Sequence, residues 1–197
     1  MSFPALTIKL PDWVDSFLSS KPDILPTIEQ RMDLVISLSR LNIQHKTGGP
    51  FAAAVFSMDT GKLIAPGVNM VVTSSCSVAH GEMVALSIAQ KISGCFDLGA
   101  PGHSKYELVS STAPCAMCLG AIPWSGVKRL ICGARDEDAR AIGFDEGSKM
   151  SNWVEELEKR GISVINDVLR SEAASVLKYY NDSGGTIYNG RQDSNLN

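Results

Sequence analysis

The sequence predicts an α/β domain in which helices cover both faces of a five-stranded mixed sheet, a three-layer α/β/α arrangement. Two strand-like segments open the pattern as a hairpin, and strands then alternate with helices, which favours a sheet with helices on its faces. The chain has 197 residues, of which 44% are hydrophobic and 20% are charged. Because this length and composition are typical of one globular domain with a buried core, residues 1–197 are interpreted as a single domain.

The N-terminal third is expected to hold an arm, a helix and the hairpin. Residues 1–22 are interpreted as an N-terminal arm that packs onto the body. Thr27 suits the N-cap of a helix, because apolar residues recur after it at helical spacing. Gly48-Gly49-Pro50 interrupts this pattern. The hairpin is then predicted from a buried strand at residues 51–57, a turn at 59–62 and a second strand at 63–72.

Two helices are predicted in the middle of the chain. Residues 79–92 form the first, with apolar side chains that include Met83 and Leu86. A short strand at residues 106–110 precedes the second helix. Pro114 is expected to open that helix, since proline is well tolerated at the first helical position.

The C-terminal third continues the alternation of strands and helices. Its predicted elements are a strand at residues 128–133, a helix at 152–160, a strand at 162–166 and a helix at 171–180. The acidic segment at residues 135–140 is interpreted as a solvated turn. Residues 181–197, rich in glycine and asparagine, are expected to form a C-terminal tail or lid.

The charge balance bears on the class of partner. The net charge is −3 and the isoelectric point is near 5.6. Proteins that grip nucleic acid without regard to sequence need a basic face that neutralises phosphates. A nucleic-acid partner is therefore not expected, and a small molecule is the favoured ligand.

The sequence also bears on location. No uninterrupted apolar run approaches the roughly twenty residues that span a bilayer, and the first residues lack the pattern of a secretory signal. The chain has five cysteines, an odd number that suits a reducing compartment better than a disulfide framework. A cytoplasmic protein without a membrane partner is expected.

Two short motifs, about thirty residues apart, supply the side chains of a metal site: His80-Gly81-Glu82 and Pro114-Cys115-Ala116-Met117-Cys118. An imidazole and two thiols fill three of the four positions that tetrahedral zinc prefers, which leaves one for water. Zinc makes bound water easier to deprotonate. Glu82 can reach that water without serving as a ligand. The spacing H-x-E…P-C-x-x-C is the mark of zinc-dependent nucleobase deaminases.

The cysteines leave some alternatives open. Cys115 and Cys118 share one face of the predicted helix, whose positive N-terminal end favours thiolate. On their own they could also form a structural zinc half-site or a redox pair. Cys76 lies a few residues before His80 and could act as a fourth ligand. Like Cys95 and Cys132, it is more simply interpreted as a small buried apolar residue.

These motifs resemble the cytidine deaminase-like superfamily and, within it, the bacterial guanine deaminases. The resemblance spans residues 48–146, about half of the chain. It is carried by Gly-Val-Asn69 and by residues 79–83, 114–122 and 141–146. Gly-Phe-Asp-Glu146 narrows the resemblance to guanine deaminases. The sequence departs from the family pattern at Gly81, where alanine is usual, and at Glu146, which replaces an aspartate.

The resemblance implies a cytidine deaminase-like fold, a Zn²⁺ cofactor and a set of functional residues. His80, Cys115 and Cys118 would bind the metal, and Glu82 would shuttle protons. Glu146 is a candidate second acid for the departing nitrogen, or else only accepts hydrogen bonds from the base. Asn69 and the backbone near Gly81 would hold the edge of the bound base. Phe51 and Trp124 would flank the two faces of the base. Asp145 or Glu146 would meet its amino group, and Tyr188 is a further substrate-binding residue. A homodimer is also implied, in which the C-terminal segment is exchanged and Tyr188 closes over the partner's site.

The function expected from the resemblance is hydrolytic deamination of guanine to xanthine and ammonia, a reaction of purine catabolism or salvage. One alternative is a tRNA-specific adenosine deaminase, or a deaminase of cytosine or another aminated heterocycle. The low isoelectric point and the Gly-Phe-Asp-Glu146 segment weigh against tRNA. A further alternative is an inactive zinc-binding scaffold. Glu82 argues against a scaffold, because a structural site does not need an acid that is not a ligand.

Overall fold

A five-stranded mixed sheet organises the chain in the computed structural model, which describes residues 2–190. The strands are β1 (Ala52–Ser57), β2 (Leu63–Val68), β3 (Tyr106–Thr112), β4 (Arg129–Ala134) and β5 (Ser163–Ile165). Their order across the sheet is β2-β1-β3-β4-β5. β1 pairs antiparallel with β2 and β3, whereas β3, β4 and β5 run parallel. The predicted mixed sheet is confirmed.

Eight helices accompany the sheet within the part of the chain that the structure describes. They are α1 (Asp12–Leu18), α2 (Ile28–Gln44), α3 (Val71–Ser74), α4 (Gly81–Ser93), α5 (Ala116–Ser125), α6 (Asp136–Ala141), α7 (Trp153–Glu158) and α8 (Arg170–Asp182). Thr27 caps α2 as predicted, because its hydroxyl accepts a hydrogen bond from Gln30 N at 3.2 Å. None of these helices is long and apolar enough to cross a membrane.

Alternation along β1 divides the core into two layers. Ala52, Ala54 and Phe56 belong to the hydrophobic cluster that includes α2 and α8. Ala53 and Val55 belong to the cluster that includes α4. This period of two is that of a strand buried on both faces. The predicted three-layer arrangement follows from it, since each face of the sheet is covered by helices.

Two N-terminal segments differ from the prediction. The arm at residues 1–22 contains helix α1, and Trp13 Nε1 holds it to the body by donating to Thr47 Oγ1 at 2.9 Å. Strand β2 stops before Asn69 and does not continue to residue 72. The chain turns there because Asn69 Oδ1 accepts a hydrogen bond from Val71 N at 3.3 Å, at the start of α3.

The acidic segment at residues 135–140 lies mostly in a helix, α6, and is not the solvated turn that was expected. The Asp138 carboxylate accepts a hydrogen bond from Arg135 N at 2.7 Å, which caps the helix. Arg170 on α8 donates to the same carboxylate at 3.0 Å. This partner lies 32 residues away in the sequence, so local patterns did not reveal it.

A buried ion cluster at the start of β3 was also not predicted. Glu107 is fully buried, and its two carboxylate oxygens pair with Arg31 and Arg129, each at 2.5 Å. Arg31 Nε also donates to Leu25 O at 2.7 Å. The cluster therefore ties the segment before α2 to the sheet. Charges buried in this way depend on their partners, because an unpaired one is costly.

The predicted C-terminal tail falls only partly within the described residues. Helix α8 continues to Asp182, and the segment after it is described as far as Gly190. Residues 191–197 lie outside the described part. The tail assignment for residues 181–197 therefore stays a prediction.

Candidate active site

The N-termini of helices α4 and α5 bring three ligand side chains together. His80 is the N-cap of α4, Cys115 is the N-cap of α5, and Cys118 lies in the first turn of α5. His80 Nδ1 lies 3.5 Å from Cys115 Sγ and 3.6 Å from Cys118 Sγ. Pro114 precedes α5 and does not open it as expected. The site lies beyond the carboxyl end of β3, where open α/β sheets usually place their ligands.

The spacing of the ligand atoms fits zinc. Bonds of about 2.3 Å to sulfur and about 2.05 Å to nitrogen, at a tetrahedral angle, separate the two ligand atoms by about 3.5 Å. The separations from His80 Nδ1, 3.5 and 3.6 Å, agree with this value. Within residues 2–190 this is the one group of three or more His, Cys, Asp or Glu residues with ligand atoms within 4.8 Å of one another. Cys76 is not part of it, so these residues offer three ligands and not a closed set of four.

The charges in the ligand set favour a metal cation. The hydrogen bond with Cys118 lowers the pKa of Cys115 to about 4, and His80 assists. The same hydrogen bond raises the pKa of Cys118, which keeps its proton. Burial lowers the pKa of His80, but the hydrogen bond with Cys115 and the charge of Glu82 raise it overall. A metal that binds here must displace protons, so affinity should fall at low pH.

Glu82 lies in the first turn of α4. It lies beside the three metal ligands but is not one of them. Only 7% of its surface is exposed, and Ser110 Oγ on β3 donates to its Oε1 at 3.3 Å. Burial raises the pKa of Glu82, and the Cys115 thiolate adds to the effect. A buried acid with a raised pKa at a cavity wall is suited to proton transfer.

A cavity of about 190 Å³ adjoins the ligand set. The predicted residues that line it, besides the ligands His80 and Cys115, are Phe51, Glu82, Asp145, Glu146 and Tyr188. A cavity of about 150 Å³ in another protein holds benzene. The space beside the ligands is therefore suited to a flat heterocyclic ring.

A family model confirms what the two motifs indicated. The model of the cytidine and deoxycytidylate deaminase zinc-binding region matches residues 26–134, more than half of the chain. The chain belongs to this deaminase family. The matched range contains all three ligands and Glu82, and the zinc-binding deaminase fold predicted for the chain is confirmed.

Relatives within the family include guanine deaminases. The guanine deaminase of Bacillus subtilis (strain 168) is 36% identical over 111 residues, which cover 56% of this chain and 67% of that protein. A solved structure of the guanine deaminase from Nitrosomonas europaea is 48% identical, with a TM-score of 0.86, and covers 90% of this chain and 97% of that one. The tRNA-specific adenosine deaminase of Haemophilus influenzae is 35% identical over 111 residues, which cover 52% of this chain and 58% of that protein.

The structure separates the roles of the two neighbouring acids in this deaminase. Glu146 is only 6% exposed and lines the cavity, and its carboxylate accepts no hydrogen bond from residues 2–190. Burial raises its pKa to about 8, and the Cys115 thiolate contributes. Asp145 is exposed, and its Oδ1 accepts a hydrogen bond from Gly147 N at 2.8 Å. Both acids line the cavity, but the Asp145 carboxylate is exposed and bonded within its loop, whereas Glu146 is the buried one.

The loop that carries Glu146 is fastened to the ligand-bearing helix. Ala116 N donates to Glu146 O at 2.9 Å. Lys149 Nζ donates to Pro114 O at 2.8 Å, and its ammonium lies 4.7 Å from the centre of the Trp153 ring. No local sequence pattern indicated a role for Lys149. Lys149 holds this loop through the carbonyl of Pro114, which lies 35 residues earlier in the chain.

Aromatic side chains form part of the cavity wall. The Phe144 ring packs edge to face against Phe51 at 4.8 Å and against Tyr188 at 5.1 Å between centroids. Tyr188 lines the cavity of its own chain, and its expected role over the site of a partner subunit stays a prediction. Its hydroxyl is buried and has no hydrogen-bond partner in the described part of the chain.

Asn69 lies directly behind this wall and is 1% exposed. Its backbone N donates to Phe51 O at 2.9 Å, and its Oδ1 accepts from Val71 N, so both of its bonded neighbours line the cavity. Its Nδ2 is buried and has no partner among residues 2–190. Gly81 packs closely on β1, since a Cβ there would lie 3.0 Å from Ala52 Cα.

The structure does not bring Trp124 to the cavity, which corrects the prediction that it flanks the base. Trp124 is 85% exposed and lines a separate surface depression with Trp153. It follows Cys115 by nine residues on α5, which is about two and a half turns of helix. Its side chain therefore points away from the face that carries the ligands.

Proposed function

We propose that this protein catalyses the hydrolytic deamination of guanine to xanthine and ammonia, a reaction of purine catabolism or salvage. The observation that carries the proposal is the pair of buried acids, Glu82 and Glu146, in a cavity of base size beside three zinc-type ligands. The 48% identity to the guanine deaminase from Nitrosomonas europaea supports guanine as the substrate.

Glu146 is the group that we assign to guanine selection. The ring N–H and the exocyclic amino group of guanine are adjacent donors, and one carboxylate accepts a hydrogen bond from each. Adenine and cytosine lack this pair of donors at the same place. They would leave a buried acid unpaired, which strongly disfavours their binding.

The chemistry is assigned to Glu82 and the ligand set. His80, Cys115 and Cys118 would hold zinc, which supplies a nucleophile near neutral pH by lowering the pKa of water. Glu82 takes up the proton of that nucleophile and passes it to a ring nitrogen of the base. Ser110 keeps the acid in place through its hydrogen bond. Glu146 would lie beside the amino group at C2 and relay to it the remaining proton of the hydroxyl attached at C2, so that the C2–N bond breaks with release of ammonia and the carbonyl of xanthine forms.

The remaining cavity residues are assigned to binding. Phe51 packs against one face of the base, and Tyr188 closes the opening above it. Asn69 donates its unpaired Nδ2 hydrogens to an acceptor atom of the base. The backbone near Gly81 holds the base edge close to Glu82. The assignments of Phe51 and Tyr188 are supported by their place in the cavity lining, and that of Asn69 by the lack of a partner for its Nδ2 among residues 2–190.

We further propose that the protein is a homodimer of single deaminase domains, with residues 1–22 as an arm and 181–197 as a lid that can be exchanged. Trp124 and Met117, both on α5, are 85% and 36% exposed in the single chain. A second copy would cover these apolar side chains.

A cytoplasmic location is proposed because the five cysteines form no disulfide with one another.

The experiment that tests the activity is an ammonia-release assay on the zinc-loaded protein. The panel contains guanine, adenine, cytosine, a small aminotriazine and a tRNA with adenosine in its anticodon loop. Guanine should be the preferred substrate. Selective turnover of the tRNA would favour the adenosine deaminase alternative instead, and zinc binding without turnover of any compound would favour an inactive scaffold.

A further inference from the structure

The side chain of Asn42, near the end of α2, is completely buried and joins two segments of the site. Its Nδ2 donates to Gly49 O at 2.9 Å and to Asn69 O at 2.8 Å. Its Oδ1 accepts from Thr47 Oγ1 at 2.7 Å. Both hydrogens of the amide are therefore used, and the group is held in one place from three directions.

The orientation of this amide is fixed by a chain of bonds that begins in the N-terminal arm. Trp13 Nε1 can only donate, and it donates to Thr47 Oγ1 at 2.9 Å. The Thr47 hydroxyl accepts that bond and gives its own hydrogen to Asn42 Oδ1. The Nδ2 group of Asn42 must then face the two carbonyls. Trp13 is itself held by stacking on His45, with 5.1 Å between the ring centres.

The two carbonyls belong to the segments that carry the base-binding residues. Asn69 supplies the unpaired amide Nδ2. Gly49 lies two residues before Phe51 and against Tyr188, since a Cβ at Gly49 would lie 2.3 Å from Tyr188 Oη. The segments are closely packed, because a Cβ at Gly48 would lie 1.7 Å from Asn69 O. The Asn42 amide thus bridges the two segments from the side of α2, in addition to the bond from Asn69 N to Phe51 O.

We infer that Asn42 is a positioning residue for base recognition, which holds Asn69 so that its amide Nδ2 donates to an acceptor of the bound base. Asn42 itself does not touch the base; it acts through the Asn69 carbonyl and through the Gly49 segment. The inference rests on the proposed function, because it requires a purine in the cavity.

A double-mutant cycle tests this inference. Asn42→Ala, Asn69→Ala and the double variant are compared with the wild type in kcat and KM for guanine, with zinc bound and well below each unfolding midpoint. Asn42→Ala should lower kcat/KM by about tenfold or more, mainly through KM, because it misplaces a binding group. In the Asn69→Ala background, Asn42→Ala should lower kcat/KM only slightly further, because the amide that Asn42 positions is already absent.

Matched variants separate positioning from stability. Ser57→Ala removes another buried hydroxyl, which accepts from Thr60 N at 3.3 Å at the hairpin end of β1. It should lower stability and leave KM unchanged. If Asn42→Ala does not fold, Thr47→Val removes the hydroxyl that orients the amide, together with the acceptor of Trp13 Nε1, and should raise KM in the same coupled way. If the factors by which the two single substitutions lower kcat/KM multiply in the double variant, Asn42 is merely structural.

The inference and the proposed function fail in different ways. Binding of guanine is measured separately, by calorimetry on the zinc-loaded Glu82→Gln protein with and without Asn42→Ala. Turnover of guanine with independent losses at Asn42 and Asn69 overturns the inference alone. A protein that neither binds nor deaminates guanine overturns both.

Discussion

Replacing Glu146 by glutamine should stabilise the protein at alkaline pH while removing its activity. The carboxylate is 6% exposed and has no partner among residues 2–190. Burial raises its pKa from 4.5 to about 8. Glutamine has nearly the same shape and no charge, so it removes the cost of ionising a buried acid and leaves the packing intact.

The size of the effect follows from linkage. Because the folded pKa of Glu146 is raised, its contribution to stability is fully present below pH 4.5 and is lost as the pH rises through about 8. At 1.36 kcal/mol per pKa unit, the loss between about pH 5 and about pH 8 is on the order of 3 kcal/mol. The free energies of unfolding of wild type and Glu146→Gln should therefore diverge by about this amount over the interval.

The assay is urea unfolding of both proteins without bound metal at several pH values across that range, because a bound cation would itself lower the pKa of Glu146. Other titrating groups cancel in the difference between the two proteins. Asp145→Asn is the control, since Asp145 is exposed and its amide analogue can still accept the hydrogen bond from Gly147 N. Glu146→Gln should also lower kcat/KM for guanine at every pH. A stability difference that does not change with pH would refute the reasoning that this acid is buried without a partner.

Four other predictions concern the metal, the acid beside it, the ion cluster and the exposed tryptophan. Glu82→Gln should keep bound zinc, measured by elemental analysis, and lose about 100-fold or more in turnover; full activity would remove Glu82 from the mechanism. A chelator should lower the thermal midpoint, and adding zinc back should release protons, detected with a pH indicator; no proton release would contradict the thiol and imidazole ligand set. Glu107→Gln should cost about 3–5 kcal/mol in urea unfolding, since it leaves the buried Arg31 and the partly buried Arg129 without their anion; a loss near zero would show that the cluster is hydrated. Trp124→Ala should leave zinc binding unchanged and shift the protein toward monomer in analytical ultracentrifugation; an unchanged sedimentation coefficient would place the dimer interface elsewhere or exclude it.

The metal ligands and Glu82 could be predicted because the sequence motifs that place them span only a few residues. His80 and Glu82 are two residues apart, and Cys115 and Cys118 share the first turn around α5, so each pair is placed by the start of one helix. The alternation of apolar residues likewise predicted the strands and the longer helices. Short elements were missed, since α1, α3 and α6 are stabilised by contacts such as Trp13 with Thr47 and not by their own periodicity.

The choice between neighbouring residues required the tertiary structure. Asp145 and Glu146 are equivalent in sequence terms and both line the cavity, yet Asp145 is exposed and bonded to Gly147 N, whereas Glu146 is buried. Trp124 was assigned to the base because it follows the cysteine motif, but the turn of α5 directs it to the surface. Asn42 and Lys149 carry no motif, and their importance comes from carbonyl groups that belong to other segments.

The sequence by itself determined the fold class, the three ligands and the acid beside them, because motif spacing and periodicity act within one helix or strand. Only the tertiary structure decided which acid at the cavity is buried, that Tyr188 lines this cavity, and which buried amide holds Asn69. These features depend on burial and on hydrogen bonds between segments far apart in the chain. Both arise only when the sheet and its helices have packed together.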